Sequence, residues 1–163
     1  MSTDDQRPGA ANPPDRLMGL ASETDPDGTL IEALPFSREI GMRLHRAEAS
    51  VAVLSVPYDA ALVGEPDSGV LHGGVITALL DTACGWSVMT TGAPIAGVAT
   101  LDLRIDYMRP ATVGETVYAR AECYRLTRSV GFARAIAYHA ETEADPVATA
   151  QGAFMLERTA KGT

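Results

Sequence analysis

Cysteine and basic residues are scarce in this chain, and each scarcity excludes a class of protein. Only two cysteines occur, Cys84 and Cys123, and neither has the spacing of a disulfide framework or a metal site. We therefore expect two reduced thiols in the core and no bound metal. The 13 Lys and Arg residues are outnumbered by 21 Asp and Glu, and this net charge of −8 argues against nucleic acid as a partner.

Long apolar runs are also missing. The apolar stretch from Val75 to Met89 has 15 residues, whereas a bilayer requires about 20. Residues 1–29 lack the basic start and continuous apolar core of a signal peptide, and their Pro, Gly, Asp, Ser and Thr content predicts a disordered, acidic tail. We expect a cytoplasmic protein with one folded domain at 30–158 and a short C-terminal tail at 159–163.

A single carboxylate, Asp81, interrupts the apolar stretch. The residues around it are apolar or small on nearly every face, which predicts a helix wrapped by a protein core. Asp is a poor residue for a helix interior, and an ionised carboxylate out of water is costly unless partners compensate it. Burial raises the pKa of a carboxylate, which suits a general base. On this pattern alone, however, a solvent-facing or satisfied structural carboxylate is the more common case, and the motifs described below are what favour catalysis.

A glycine-rich turn precedes this helix. Gly73 and Gly74 let a substrate approach closely, and the first turn of a helix leaves about four backbone N–H groups unpaired. Such donors can hold a carbonyl oxygen and stabilise the oxyanion that forms when the carbonyl is attacked. Acyl transfer is the reaction that this arrangement suits.

Gly74 and Asp81 are too far apart in one chain to act on one carbonyl. Seven helical residues separate them, which is about 10 Å at 1.5 Å per residue. If two copies pack these helices antiparallel, Asp81 of one subunit lies beside Gly74 of the other, and a two-fold dimer makes two composite sites. We therefore predict an obligate homodimer.

The remaining elements predict an antiparallel sheet. A short helix near 34–40 and one strand at about 42–57 precede the core helix. After it, Leu101, Leu103 and Tyr107 alternate with charged residues in a half-buried strand. Further strands are predicted at 116–126, 130–141 and 146–157. One long helix followed by such a meander predicts an α+β fold, with the sheet wrapped around the apolar helix.

Two motifs occur in this order along the chain. The first is His72-Gly73-Gly74 with Asp81 nine residues after the histidine, and the second is Thr100-Leu-Asp-Leu-Arg-Ile-Asp-Tyr-Met-Arg-Pro-Ala111. From about residue 35 to residue 156 the chain resembles hotdog-fold acyl-CoA thioesterases of the phenylacetate-pathway (PaaI-like) type. The resemblance implies a hotdog fold, a homodimer or dimer of dimers, and cofactor-free hydrolysis of an aromatic or medium-chain acyl-CoA.

The resemblance also implies roles for individual residues. Asp81 serves as general base or nucleophile, the N–H of Gly74 binds the thioester carbonyl, and Thr100 helps to place the water. His72 is expected to orient the turn. The residues expected to contact substrate or coenzyme are Gly73, Tyr107, Met108, Arg109, Pro110, Arg125, Arg128 and Ser129.

One position departs from the family pattern. Many relatives carry Asn or Gln six residues before the histidine, where this chain has Pro66. Either Glu65 or Asp67 takes over part of that task, or the site is organised differently. A non-catalytic acyl-CoA binding protein or ligand sensor is therefore an alternative function. A hotdog dehydratase or hydratase is a weaker alternative, because motifs such as His-Phe-Pro do not occur in the sequence.

Overall fold

The computed structural model describes residues 31, 33–140 and 143–158. The tails expected at 1–29 and 159–163 lie outside these residues. In chain order the elements are α1 (Pro35–Glu39), β1 (Arg43–Glu48), β2 (Val51–Val56), a 3-10 turn (Ala60–Leu62), β3 (Val63–Glu65), β4 (Val70–Leu71), α2 (Gly73–Met89), β5 (Ile95–Tyr107), β6 (Val117–Leu126), β7 (Val130–Tyr138) and β8 (Ala148–Arg158).

Six strands form one antiparallel sheet in the order β1-β2-β6-β7-β8-β5. The helix α2 lies on one face of this sheet and packs on β2, β5, β6 and β7. The strands β3 and β4 form a separate hairpin directly before the helix. This arrangement confirms the predicted α+β architecture. No helix in the described part of the chain combines the length and hydropathy needed to cross a membrane.

Small side chains let the helix lie close to the sheet. The strand β6 alternates strictly between buried and half-exposed positions from Val117 to Cys123, as expected for a strand with one face on the core. Alanine dominates the buried positions of β6, β7 and β8, namely Ala119, Ala121, Ala133, Ala135, Ala137, Ala148 and Ala150. The helix fills the remaining space with Leu79, Leu80 and Val88, all fully buried. Each such side chain contributes about 1.5–3 kcal/mol of burial free energy.

The single strand predicted at 42–57 is wrong, because this segment forms the hairpin of β1 and β2. Ala49 and Ser50 turn the chain with φ of 49° and 67°. Positive φ at both turn positions matches the twist of a hairpin, but Asn and Gly are the usual residues there, so the sequence carried no turn signal. Tertiary hydrogen bonds hold the turn instead: Ser50 N donates to Thr90 O at 3.1 Å, and Cys123 N donates to Ser50 O at 2.8 Å.

The other predicted elements lie close to their expected positions. The short helix is α1, and the last three strands begin and end within three residues of the prediction. The strand β5 is longer than predicted, since it begins at Ile95, six residues before the alternating pattern starts. It is also the last strand of the sheet, and among the described residues it pairs only with β8.

Candidate active site

One stripe of α2 is left open by the sheet. Its half-buried positions are Thr77, Ala78, Asp81 and Thr82. The stripe follows β5, which runs antiparallel to the helix, so that Thr77 contacts Tyr107 and Asp81 contacts Thr100. Within one chain the sheet packs on the buried residues of α2 and leaves this stripe uncovered, because no further strand continues the sheet beyond β5 among the described residues.

Asp81 and Thr100 meet at the middle of this stripe. Thr100 Oγ1 donates a hydrogen bond of 2.8 Å to Asp81 Oδ1. Thr100 faces the helix because its partner across the ladder is the inward-facing, buried Phe154, just before a bulge in β5. Asp81 Oδ2 has no hydrogen-bond partner within the described ranges, so one carboxylate oxygen is held in place and the other can accept a proton from water.

His72 and Gly74 meet at the start of the helix. His72 is the N-cap residue, and its Nδ1 accepts a 2.9 Å hydrogen bond from Gly74 N. The histidine therefore orients the turn, as expected. The N–H predicted to bind the thioester carbonyl, that of Gly74, is however already used by this cap. In the described part of the chain the N–H of Gly73 has no acceptor, so the open donor at the helix start belongs to Gly73.

Two hydroxyl groups fix the carbonyl of Gly73. Tyr107 Oη lies 3.0 Å from Gly73 O, Thr77 Oγ1 lies 3.2 Å from it, and the two hydroxyl oxygens are 2.7 Å apart. Thr77 was not among the predicted site residues. Its position four residues after Gly73, on the same helix face, is the signal that could have revealed it.

The first group of predicted coenzyme residues lines one pocket of about 380 Å³ beside the helix start. Gly73, Tyr107, Met108, Arg109 and Pro110 all border it, together with the apolar Val70, Leu71, Ile76, Ala111 and Val147. The pocket is mostly apolar. It therefore suits an acyl chain or the pantetheine arm better than a phosphate.

Arg109 is engaged by its own chain. Its Nε lies 2.9 Å from Asp145 Oδ2, one Nη donates to Asp145 O at 3.0 Å and the other to Pro110 O at 3.2 Å. The guanidinium thus anchors the loop before β8. Held in this way, Arg109 is a fixed part of the pocket wall, and its contact with the coenzyme stays a prediction from the sequence.

The second group of predicted coenzyme residues lies elsewhere. Arg125, Arg128 and Ser129 are exposed around the turn between β6 and β7. This turn packs near the last turn of α2, where a Cβ on Gly131 would lie 2.6 Å from Val88 Cγ1. Fifteen helical residues, or about 22 Å, separate Val88 from Gly73. Within a single chain the two groups of residues therefore lie near opposite ends of α2.

The turn at the position where many relatives carry an amide side chain is held by hydrogen bonds within the turn. Glu65 Oε2 accepts a 2.6 Å hydrogen bond from Ser68 Oγ, and Gly69 N donates to Glu65 O. Glu65 is therefore held by the turn, whereas Asp67 is exposed. The strand β3 passes directly behind the N-cap, since a Cβ on Gly64 would lie 2.8 Å from His72 Cα.

His139 is a second residue that the sequence analysis missed. It is buried, its Nε2 accepts from Thr112 N at 3.0 Å, and its Nδ1 lies 2.9 Å from Thr116 O. Because the backbone N–H of Thr112 can only donate, Nε2 is the acceptor in that bond, and Nδ1 is left to donate to the Thr116 carbonyl. The ring holds the loop that follows the pocket. Its partners lie 27 and 23 residues away in the sequence, so no local pattern indicates this role.

Within the described residues neither the two thiols nor any group of potential metal ligands forms a second candidate site. Cys84 and Cys123 are free and buried. Burial, and secondarily the charge of Asp81, raises the pKa of the Cys84 thiol to about 12, so it stays protonated at neutral pH. In the described ranges no three His, Cys, Asp or Glu side chains are grouped to hold a metal ion.

Comparisons with known proteins cover the same elements. A family model described as the thioesterase superfamily matches residues 68–144. The medium/long-chain acyl-CoA thioesterase YigI of Escherichia coli is 33% identical over 136 residues, which cover 76% of this chain and 86% of the relative. The match to the family model spans both the helix α2 and the edge strand β5.

Solved structures of similar proteins also match most of this chain. A protein from Pseudomonas aeruginosa is 38% identical with a TM-score of 0.68, covering 88% of this chain and 96% of the other. A mutant of the phenylacetic acid degradation protein PaaI from Thermus thermophilus is 27% identical with a TM-score of 0.65, covering 75% and 98%. Both likenesses extend over nearly the whole of the solved chains.

Proposed function

Because the chain belongs to the thioesterase superfamily, in its PaaI-like hotdog-fold group, we propose that it hydrolyses an acyl-CoA thioester to the free acid and CoA. The observation that carries this proposal is the hydrogen bond between Thr100 and Asp81 at the open stripe of α2. It holds one carboxylate oxygen and leaves the other without a hydrogen-bond partner among the described residues. No cofactor is needed for this reaction.

The proposed mechanism uses three groups. The N–H of Gly73 polarises the thioester carbonyl and stabilises the oxyanion. Asp81 Oδ2 takes a proton from a water molecule, whose oxygen attacks the carbonyl carbon. The carbon–sulfur bond then breaks, and the leaving sulfur receives the proton from Asp81. Direct attack by Asp81 would instead form an anhydride that water later hydrolyses.

Gly73 replaces Gly74 as the proposed oxyanion donor. The reason is the N-cap, because His72 Nδ1 already accepts the N–H of Gly74. For Gly74 to serve, the imidazole would have to leave that position whenever substrate binds. The Gly73 N–H needs no such movement.

We also propose that the site is composite. Gly73 and Asp81 are eight helical residues apart, which is about 12 Å in one chain. The unpaired edge of β5 and the open stripe of α2 lie side by side, as expected if both are covered by a second copy related by a two-fold axis. The partner's Asp81 would then face the Gly73 N–H. A dimer of dimers and a cytoplasmic location stay predictions from the sequence.

The acyl group is proposed from the relatives and from the apolar pocket. YigI is named for medium and long acyl chains, and the Thermus protein for phenylacetic acid degradation. We propose aromatic and medium-chain acyl-CoA esters as substrates, held with the acyl or pantetheine portion in the pocket beside Gly73.

Thiol release from a panel of short, medium, long and aromatic acyl-CoA esters tests the activity. Asp81→Asn should lower kcat by about 10²–10⁴-fold, because the general base is lost, while ester binding and the circular dichroism spectrum persist. The matched control is Asp106→Asn, which removes an exposed carboxylate paired with Arg104 on β5. Undiminished turnover in Asp81→Asn would overturn the mechanism.

Subunit complementation tests the composite site. Gly73→Pro removes the donor at a helix position where proline is tolerated, and Asp81→Asn removes the base. Each homodimer should be inactive. Co-expression should restore about a quarter of wild-type activity, because roughly half the dimers are mixed and each has one intact site. Failure to restore any activity, with mixed dimers present, would place both groups in one chain.

A non-catalytic acyl-CoA binding protein is the second candidate. Pro66 and the self-contained Glu65–Ser68 turn favour it, since neither supplies the amide that many relatives use near substrate. Saturable binding of acyl-CoA without thiol release across the whole panel would establish it.

A further inference from the structure

Hydrogen bonds fix the backbone of Gly73 and of the residues next to it. His72 O accepts a 2.9 Å hydrogen bond from Val75 N, and His72 Nδ1 accepts from Gly74 N. The carbonyl of Gly73 faces the hydroxyl groups of Thr77 and Tyr107. Two consecutive glycines have the greatest backbone freedom of any pair, and these stand in the first turn of the helix, so the side-chain contacts add to the helical hydrogen bonds in fixing the position.

Because a peptide group is planar, these contacts also fix the direction in which the Gly73 N–H points. The C=O and N–H of one peptide point to opposite sides. Fixing His72 O on Val75 N therefore directs the Gly73 N–H away from the helix, toward open space. Fixing Gly73 O on the two hydroxyl groups stops the next peptide from rotating and changing that direction.

The two hydroxyl protons are both used inside this cluster. Three oxygens, those of Gly73, Thr77 and Tyr107, lie within 3.2 Å of each other, and only two protons are available to them. Either both hydroxyl groups donate to Gly73 O, or one of them donates to Gly73 O and the other donates to the first hydroxyl oxygen. In every one of these arrangements Gly73 O receives at least one proton, and neither hydroxyl keeps a proton for a substrate.

We propose that Thr77 and Tyr107 are positioning residues that fix Gly73 and so direct its N–H at the thioester carbonyl. This rests on the proposed function, and it replaces the expectation that Tyr107 binds coenzyme. The two residues come from the helix and from the edge strand, so they also lock the start of α2 to the end of β5.

Kinetics separate positioning from binding. Tyr107→Phe and Thr77→Val should each lower kcat by about tenfold or more with KM nearly unchanged, because a misdirected donor affects the transition state most. Thr77→Ser keeps the hydroxyl and should retain most of kcat. The matched control is Tyr124→Phe, whose hydroxyl bonds Gln151 on the outer face of the sheet; its kcat should equal that of wild type. An unchanged kcat in Tyr107→Phe, or a change in KM alone, would overturn the proposal.

Nuclear magnetic resonance gives a readout that does not depend on activity. The backbone amide signals of Gly73 and Gly74 in the ligand-free protein should move in Tyr107→Phe and Thr77→Val, and stay in place in Tyr124→Phe. Unmoved signals would overturn the proposal even if kcat falls. If the wild-type protein cleaves no ester, the proposed function fails while these amide signals still decide whether the two hydroxyl groups fix Gly73.

Discussion

Thr100 Oγ1 donates a 2.8 Å hydrogen bond to Asp81 Oδ1, and this bond joins the middle of the edge strand to the middle of the helix. The threonine faces inward because β5 pairs it with Phe154 immediately before a bulge. The carboxylate therefore has one fixed rotamer with one oxygen left over. A general base needs this combination of fixed position and open lone pair.

Removing the Thr100 hydroxyl should lower turnover without unfolding the protein. We expect Thr100→Val, which keeps the shape, to reduce kcat by roughly 10- to 100-fold, because the carboxylate loses its fixed position. Thr100→Ser should stay within a few-fold of wild type. Steady-state thiol release by the two variants measures this. A Thr100→Val enzyme as fast as wild type would show that the hydrogen bond is structural only.

The local part of this site was predictable from sequence. Asp81 stands alone in an apolar helix, and a turn with two glycines precedes it, so both groups of the proposed mechanism lie within ten residues of the sequence. Thr100 was assigned by family resemblance, and the structure places it on Asp81. The edge position of β5 was not predictable, because strand order depends on pairings between distant segments.

The features that could not be predicted depend on which side chains and backbone groups pair with each other in the folded chain. Whether Gly73 or Gly74 has the open N–H depends on how the His72 ring is turned. Arg109 pairs with Asp145, which is 36 residues away in the sequence. The local sequence around Arg109 gives no sign of this partner. The turn at Ala49 and Ser50 is held by Thr90 and Cys123, and no local residue signals it.

Replacing His139 should destabilise the loop that follows the pocket. His139→Ala leaves Thr112 N–H and Thr116 O without their buried partner, which we expect to cost about 2–4 kcal/mol of the free energy of unfolding. His45→Ala is the control, because this exposed histidine has one side-chain hydrogen-bond partner, Ser55, and a tilted ring contact with Tyr118, and its loss should cost about 1 kcal/mol. Urea denaturation gives both values. Equal losses in the two variants would contradict the structural role of His139.

Gly64 should tolerate no side chain. A Cβ there would lie 2.8 Å from His72 Cα, and backbone must move to relieve the contact. We expect Gly64→Ala to lower stability by about 1–3 kcal/mol and to reduce kcat, because the N-cap shifts. Gly85→Ala is the control, since its Cβ would meet only Val98 at an ordinary 3.5 Å and it removes a helix glycine. In thermal unfolding the Tm should fall in Gly64→Ala and rise in Gly85→Ala. An unchanged Tm in Gly64→Ala would mean that β3 is not packed on His72.

Cys84 should make stability depend on alkaline pH. Burial, reinforced by the charge of Asp81, raises the pKa of its thiol from 9.0 to about 12. In the unfolded chain the thiol has its ordinary pKa, so between these values the unfolded state loses a proton that the folded state keeps. The stabilisation is therefore complete below about pH 9 and is lost as pH rises toward 12.

The slope of stability against pH isolates this effect. Within the window the contribution of Cys84 is about 1.4 kcal/mol per pH unit. Cys84→Ala removes the titrating group, and any loss of packing is the same at every pH. Urea unfolding at about pH 8 and about pH 10.5 should therefore show a steeper loss of stability in wild type than in Cys84→Ala. Parallel losses would mean that the thiol titrates alike in the folded and unfolded states and is not shielded from water in the folded protein.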